Sequence, residues 1–407
     1  YYFSDTGEGF DYKASVEDTC EEIAKFAPED QQGYKNLLKL SEKIFDVGFT
    51  KLAHVPFNNF FKMLSLVPAL VKLQSYKSVY QLVSSFLKHD KMRQAFTIHP
   101  LLVGGNPFDT TSIYALIHYL EREWGVHFAM GGTGALVDAH TDLMERQGIR
   151  LRLGETVRDF RINNEHTHSE GVVLESGETL DADLVVFNGD ASYAYQNLLP
   201  SGLKRQFIRR PRAVEKWSMG LYVLYFGTDK QYPDVAHHTI WMGPRYKGLL
   251  QDIFDKKVLS DDFSLYLHRP TATDPSFAPD GHDSFYVLCP VPNLQGGQDW
   301  SDEGPKLQER IIDALDKTIM PGLKDCVQEP FWMSPAEFET DYLSQHGAGF
   351  SVAPVLTQSA YFRYHNRDPQ VKNLYFTGAG THPGAGLPGV VSSAKVVETM
   401  VKEDFGL

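Results

Sequence analysis

Apolar residues recur every three to four positions through residues 12–125, which predicts a succession of helices separated by short breaks. The first, in "SVEDTCEEIAKFA", opens on a Ser-x-x-Asp capping pattern from Ser15 to Asp18 and has Pro28 just beyond its end. In "GGTGALVDAHTDLMERQGIRLRLGETV", Gly131, Gly132 and Gly134 precede a helical run over 135–147 that Gly148 can close. The alternation of Ile149, Leu151 and Leu153 then predicts a strand. "GVVLESGETLDADLVVFNGD" predicts further strands, with a turn at Ser176-Gly177-Glu178 and a buried strand over 184–187. From about 191 to 365 strands dominate, in "MGLYVLYFGT", "FSLYLHRP" and "SFYVLCPV", with helical interludes at "YKGLLQDIF" and "EGPKLQERIIDALDKTI". A short strand over 374–377 leads into a glycine-rich loop and a closing helix. The pattern is mixed α/β in four segments, 1–125, 126–190, 191–365 and 366–407, interleaved as in a domain built from discontinuous pieces.

One stretch departs from the amphipathic norm. Between residues 47 and 89 there is no Asp or Glu, while Lys51, Lys62, Lys72, Lys77 and Lys88 punctuate Phe57, Phe60, Phe61, Leu64, Val67, Leu70, Val71 and Tyr76. Two readings fit: a core helix pair edged by lysine, or an interfacial surface whose apolar side enters lipid while lysines meet anionic headgroups. Pro68 is expected to limit any helix here.

The glycines carry the strongest chemical signal. Gly378, Gly380, Gly384, Gly386 and Gly389 fall within residues 378–389, after a strand and before a helix carrying Val390, Ala394 and Val397 on one face. Strand, glycine loop, helix start is the order that presents backbone N–H groups and a positive dipole end to an anion or a polar ring edge. A loop that merely needs positive φ values is the alternative. A dinucleotide fingerprint starting at Gly378 would need Gly at the position of Pro383 and a second strand after the helix, so a free-standing dinucleotide fold is not expected.

Composition narrows the partners. The 39 Lys and Arg against 52 Asp and Glu give a net charge of −13 over 407 residues, which argues against nucleic acid. Cys20, Cys289 and Cys326 are too far apart for a zinc pattern and odd in number, which fits a reducing compartment. His237-His238 is a tempting ligand pair, but neighbours on a strand face opposite ways, so no metal site is expected.

The chain resembles the bacterial and fungal phytoene desaturases, a branch of the FAD-containing amine oxidase-like superfamily. The resemblance rests on "LLVGGNPFDTTSIYALIHYLEREWGVHFAMGGTGALV", "AHHTIWMGPRYKGLLQDIF", "DFSLYLHRP", "LTQSAYFRYHNRD" and "GAGTHPGAGLPGV". It implies an FAD-binding Rossmann-like domain built from discontinuous segments (126–190 and 366–407), a strand-rich substrate domain (191–365) and a helical membrane-facing region (1–125). It also implies that an N-terminal βαβ unit is missing before Tyr1 and that the chain without it is inactive. The cofactor contacts implied are Gly131, Gly132, Gly134, Gly378, Gly380, Thr381, Gly384, Gly386, Leu387, Pro388, Gly389 and Val390. The reaction implied is desaturation of phytoene, a C40 isoprenoid, to carotenes such as lycopene, with His382, Asp90 and Arg93 as candidate polar participants. Asp90 and Arg93 stand at i, i+3, a spacing that a helix-surface ion pair explains equally. The partners implied are phytoene, carotene intermediates and anionic lipid, at the cytoplasmic face of a membrane. Related isomerases, ketolases and C30 desaturases, or a noncatalytic isoprenoid-binding module, are the alternatives.

Overall fold

A computed structural model describes residues 1–200, 203 and 215–407. Residues 201–202 and 204–214, inside the stretch expected to be strand-rich, lie outside the described residues. The chain divides into two compact units, one of residues 1–14, 125–154 and 220–338, the other of residues 15–124, 155–219 and 339–407. Strands are numbered β1 to β12 in chain order.

The first unit is built on a seven-stranded sheet. It contains β1 (Tyr2–Phe3), β2 (Glu8–Gly9), β7 (Gly220–Thr228), β8 (His238–Met242), β9 (Leu265–His268), β10 (Asp283–Val291) and β11 (Val327–Met333), in the order β11-β7-β10-β9-β8-β1-β2. Alternation makes the register legible: Phe285, Val287, Cys289 and Val291 of β10 are buried on one face, where Leu224, Phe226, Leu265 and Leu267 join them. The helix Trp300–Asp316 covers that face with Leu307, Ile311, Ile312 and Leu315, an i, i+4, i+5, i+8 stripe.

Three expectations are corrected by the structure. Residues 150–156 form no strand, and Leu153 is 90% exposed, because alternation alone does not supply a partner backbone. Pro68 does not limit its helix, which runs unbroken from Phe60 to Lys72 around it. Nor do His237 and His238 face apart, since β8 begins at His238 and strand alternation does not reach back to His237; their ring centroids are 4.4 Å apart.

The second unit gathers the helices Val16–Ala24, Asp30–Phe45, Phe60–Lys72, Val79–Ser84, Asp90–Ala95 and Leu116–Trp124. Ser15 caps the first of these, accepting from the Asp18 N–H at 3.0 Å. The unit also holds an antiparallel sheet, β3 (Val157–Ile162), β4 (Ser169–Leu174) and β5 (Thr179–Asp181), and a parallel pair, β6 (Val185–Phe187) with β12 (Leu374–Phe376). A core of Phe160, Ala191, Tyr195, Leu198, Leu374 and Phe376 fixes the parallel pair, and the closing helix Leu387–Phe405 packs Val396, Val397 and Met400 on Tyr375.

Candidate active site

In the parallel pair Leu374 lies beside Val185 and Phe376 beside Phe187, so the two chains leave the sheet together. Polar groups knit the exits. The Thr377 hydroxyl donates to Asn188 Oδ1 at 2.9 Å, and the Gly378 N–H donates to the Ser393 hydroxyl at 2.9 Å, whose own proton reaches the Val390 carbonyl at 2.6 Å. Ligands of open parallel sheets bind at these carboxyl ends. A cleft of about 770 Å³ lined by Asp183, Asp368, Lys372 and Asn373 adjoins the opposite, amino-terminal ends of the same strands, which makes it the weaker candidate.

Part of the glycine richness is explained by the loop itself. Gly386 has φ +91°, a conformation that side chains strain to adopt, and it precedes the first turn of a 19-residue helix. A Cβ on Gly389 would stand 2.6 Å from the Gly384 carbonyl oxygen, so the loop folds back on its own backbone at that point. Leu387 and Pro388 are nevertheless exposed and Gly389 is half-buried, so the helix start, which has no side-chain cap, reaches the surface.

Arg363 organises this loop. Its guanidinium is 2% exposed; Nε donates to the Thr381 carbonyl at 3.0 Å, and Nη2 donates to the carbonyls of Ala379 and of Val352, the latter at 3.2 Å. In a trans peptide the N–H points opposite to the C=O, so the Gly380 and His382 N–H groups are turned away from Arg363. Burial lowers the Arg363 pKa, against Tyr114 and Asp190, whose charges favour the cation. Burial in turn raises the Asp190 carboxyl, which caps the turn Ala191–Tyr193 through the Tyr193 N–H at 3.0 Å. The Asn366 amide reaches Thr381 Oγ1, 3.2 Å away, and the His382 carbonyl, 3.1 Å away, completing the clamp.

His382 joins the loop to the acid-free segment. Its Nε2 donates to the Leu52 carbonyl at 3.0 Å, and Phe57 meets its ring edge-on with centroids 4.6 Å apart. Since Nε2 carries the proton, Nδ1 presents a lone pair, and that atom is buried with no hydrogen-bond partner. Burial lowers the ring's pKa to about 4. The result is a neutral imidazole with one free acceptor nitrogen.

The structure places Gly378, Gly380, Thr381, Gly384, Gly386, Leu387, Pro388, Gly389, Val390 and His382 in one loop and helix start of the second unit. Thr381 is fully buried and donates to the Gly378 carbonyl at 3.0 Å, so its hydroxyl serves the loop. Gly131, Gly132 and Gly134 belong to the first unit, where the Gly131 N–H donates to Asp274 at 2.9 Å. Asp90 and Arg93 do not bond to one another: Asp90 accepts from Gln94 at 2.8 Å, and Arg93 donates to the Leu87 carbonyl at 2.8 Å. Sequence reasoning missed Asp190, Asn366 and Arg363. Its signal, a cation directly followed by Tyr364 in a sequence that must bury one of them, is weak.

Residues 13–397 match the family model of the flavin containing amine oxidoreductases. The chain is 47% identical to a phytoene desaturase (lycopene-forming) of Pseudescherichia vulneris, over 98% of this chain and 81% of that one. It is 45% identical to a phytoene desaturase (lycopene-forming) of Paracoccus sp. (strain N81106 / MBIC 01143), over 98% of this chain and 79% of that one. A solved putrescine oxidase, redesigned for cofactor binding, shares the fold at a TM-score of 0.61 and 11% identity, covering 100% of this chain and 80% of that one.

Proposed function

The chain belongs to the flavin-containing amine oxidoreductase family, and from that premise we propose that it desaturates phytoene, a C40 isoprenoid, to more conjugated carotenes such as lycopene, using FAD. The residues present suit a flavin. The helix Leu387–Phe405 begins exposed with no side-chain cap, and Nδ1 of His382 is buried with no hydrogen-bond partner, so both offer polar groups to a ligand. Of the loop glycines, Gly386 lies half-buried just before the helix start, where a bare backbone permits close approach of a flat ring.

When bound, FAD supplies a two-electron acceptor for the hydride. The substrate carbon that loses it gains positive charge, spread over the adjoining polyene, and the neighbouring C–H then becomes strongly acidic. A weak base suffices for that proton, and Nδ1 of His382, neutral with a pKa of about 4, is such a base. A C=C bond forms as the two hydrogens leave. Asp90 and Arg93 are helix-surface residues in this reading. The observation that carries it is the adjacency of the loop and the apolar segment, joined by the His382 Nε2 hydrogen bond to the Leu52 carbonyl and by the Phe57 ring.

A hydrocarbon of this length is effectively insoluble in water and must be drawn from a bilayer. The helix Phe60–Lys72 supplies the docking surface: Phe60, Phe61, Leu64, Val67 and Val71 are exposed, Phe61 at 79%, and Lys72 is exposed beside them. Such a face favours the interfacial reading over the core reading. Each lysine near an anionic surface contributes roughly 1 kcal/mol, and no acid in residues 47–89 opposes it. In this reading the protein works peripherally on the cytoplasmic, anionic leaflet, supported by the exposed apolar face and its lysine. Incubating the FAD-loaded protein with phytoene in anionic liposomes is expected to yield visible polyene absorbance, with binding weakened by salt. The double variant Phe61→Glu, Leu64→Glu is expected to lose most co-sedimentation and turnover while keeping its flavin. Unchanged co-sedimentation of that variant would remove the helix from the docking surface.

A further inference from the structure

Strand pairing in the first unit brings together side chains that no step above uses. His238 of β8 and His268 of β9 are direct cross-strand partners, so their rings share one face of the sheet. His237 leans over the same place, with ring centroids 4.4 Å from His238 and 4.7 Å from His268. One ring nitrogen of each of the three lies within 4.8 Å of the others.

We propose that His237, His238 and His268 form a three-imidazole site for a divalent transition-metal ion of the zinc class, with water in the fourth position. Three histidines and an open position are an established zinc ligand set, and tetrahedral bonds of about 2.0–2.1 Å set the nitrogens roughly 3.3 Å apart. Reaching that spacing from 4.8 Å requires the three rings to draw together.

The surroundings are those of oriented ligands. His237 Nδ1 lies 2.5 Å from Thr273 Oγ1, which leaves its Nε2 buried without a partner. The Tyr266 hydroxyl faces Nδ1 of His238 at 2.7 Å and Nδ1 of His268 at 3.2 Å. A hydroxyl on the far nitrogen fixes the ring's tautomer and direction, as around bound zinc. Tyr286 stacks on His268 at 4.5 Å and Phe128 packs on His237 at 4.8 Å, so the rings are held from the apolar side too. The segment before β8 is pinned by Arg269, which donates to the Val235 carbonyl at 2.9 Å and pairs with the buried Asp283 at 2.9 Å. His238 is exposed, which leaves an entry path.

The test is equilibrium dialysis of the FAD-loaded protein against zinc with metal quantification, and titration with cobalt(II) followed by visible spectroscopy. One zinc per chain is expected, with cobalt giving the intense bands of a four-coordinate ion. His238→Gln, at the exposed ligand, is expected to weaken binding at least tenfold with flavin content and melting temperature unchanged, and His268→Gln to abolish it. Absence of stoichiometric metal, or binding that survives both substitutions, overturns the proposal. A six-coordinate cobalt spectrum also counts against it.

Discussion

Arg363→Leu is expected to strip the protein of FAD and to lower its stability by about 3–5 kcal/mol, the usual cost of breaking a buried ionic network. The guanidinium is the shared donor for the carbonyls of Ala379, Thr381 and Val352, of which the residues Thr381 and Val352 are buried. Without it the Thr381 and Val352 oxygens are left buried without this donor, and the peptides that present Gly380 and His382 lose their orientation. The carboxyl of Asp190, already raised by burial, loses a favourable charge as well. Arg363→Lys keeps the charge but supplies a point donor in place of a fork, so partial flavin retention is expected. Flavin content after gel filtration and the urea midpoint measure both effects. A leucine variant with a full complement of flavin would show that the loop holds its shape without the clamp.

His382→Leu is expected to lower turnover by about 10²- to 10⁴-fold, the range typical of a positioned proton acceptor, while flavin content stays near that of the unaltered protein. Leucine fills the space against Phe57, so the apolar contact survives and the lone pair at Nδ1 is lost. The pH dependence separates this from a packing effect. Because burial lowers the ring to about 4, the base is present at any pH above that value and is lost only as pH falls through it. The rate of the unaltered protein is therefore expected to be flat between about pH 6 and pH 8, with no inflection at the ordinary histidine value. An inflection near 6.5, or a leucine variant with undiminished rate, removes His382 from proton transfer.

Much of the fold was legible because its signals are local. The alternation in β10 and the capping serine of the first helix report on residues within a few positions of themselves, and so does the strand-to-glycine order at 374–389. The errors arise where distant partners decide. Leu151 and Leu153 alternate like a strand but find no partner backbone among the described residues. The histidine cluster depends on a register between β8 and β9 across some thirty positions, which no local pattern encodes. Arg363 follows the short turn Ala360–Phe362, so strand alternation could not say which way it points. The glycine loop was legible as a platform, but the conformational reasons for Gly386 and Gly389 emerged only from φ and from the Gly384 carbonyl.

The central claim is that phytoene loses its hydrogens to a flavin held at the glycine loop. It is tested most directly by an anaerobic single turnover, in which the FAD-loaded protein is mixed with phytoene in anionic liposomes and the flavin and polyene absorbances are followed together. Oxidised-flavin absorbance is expected to be lost in step with the appearance of longer conjugation, one flavin reduced for each double bond formed. Retained oxidised flavin with no new polyene absorbance, in protein shown to carry FAD and to bind the liposomes, would contradict it.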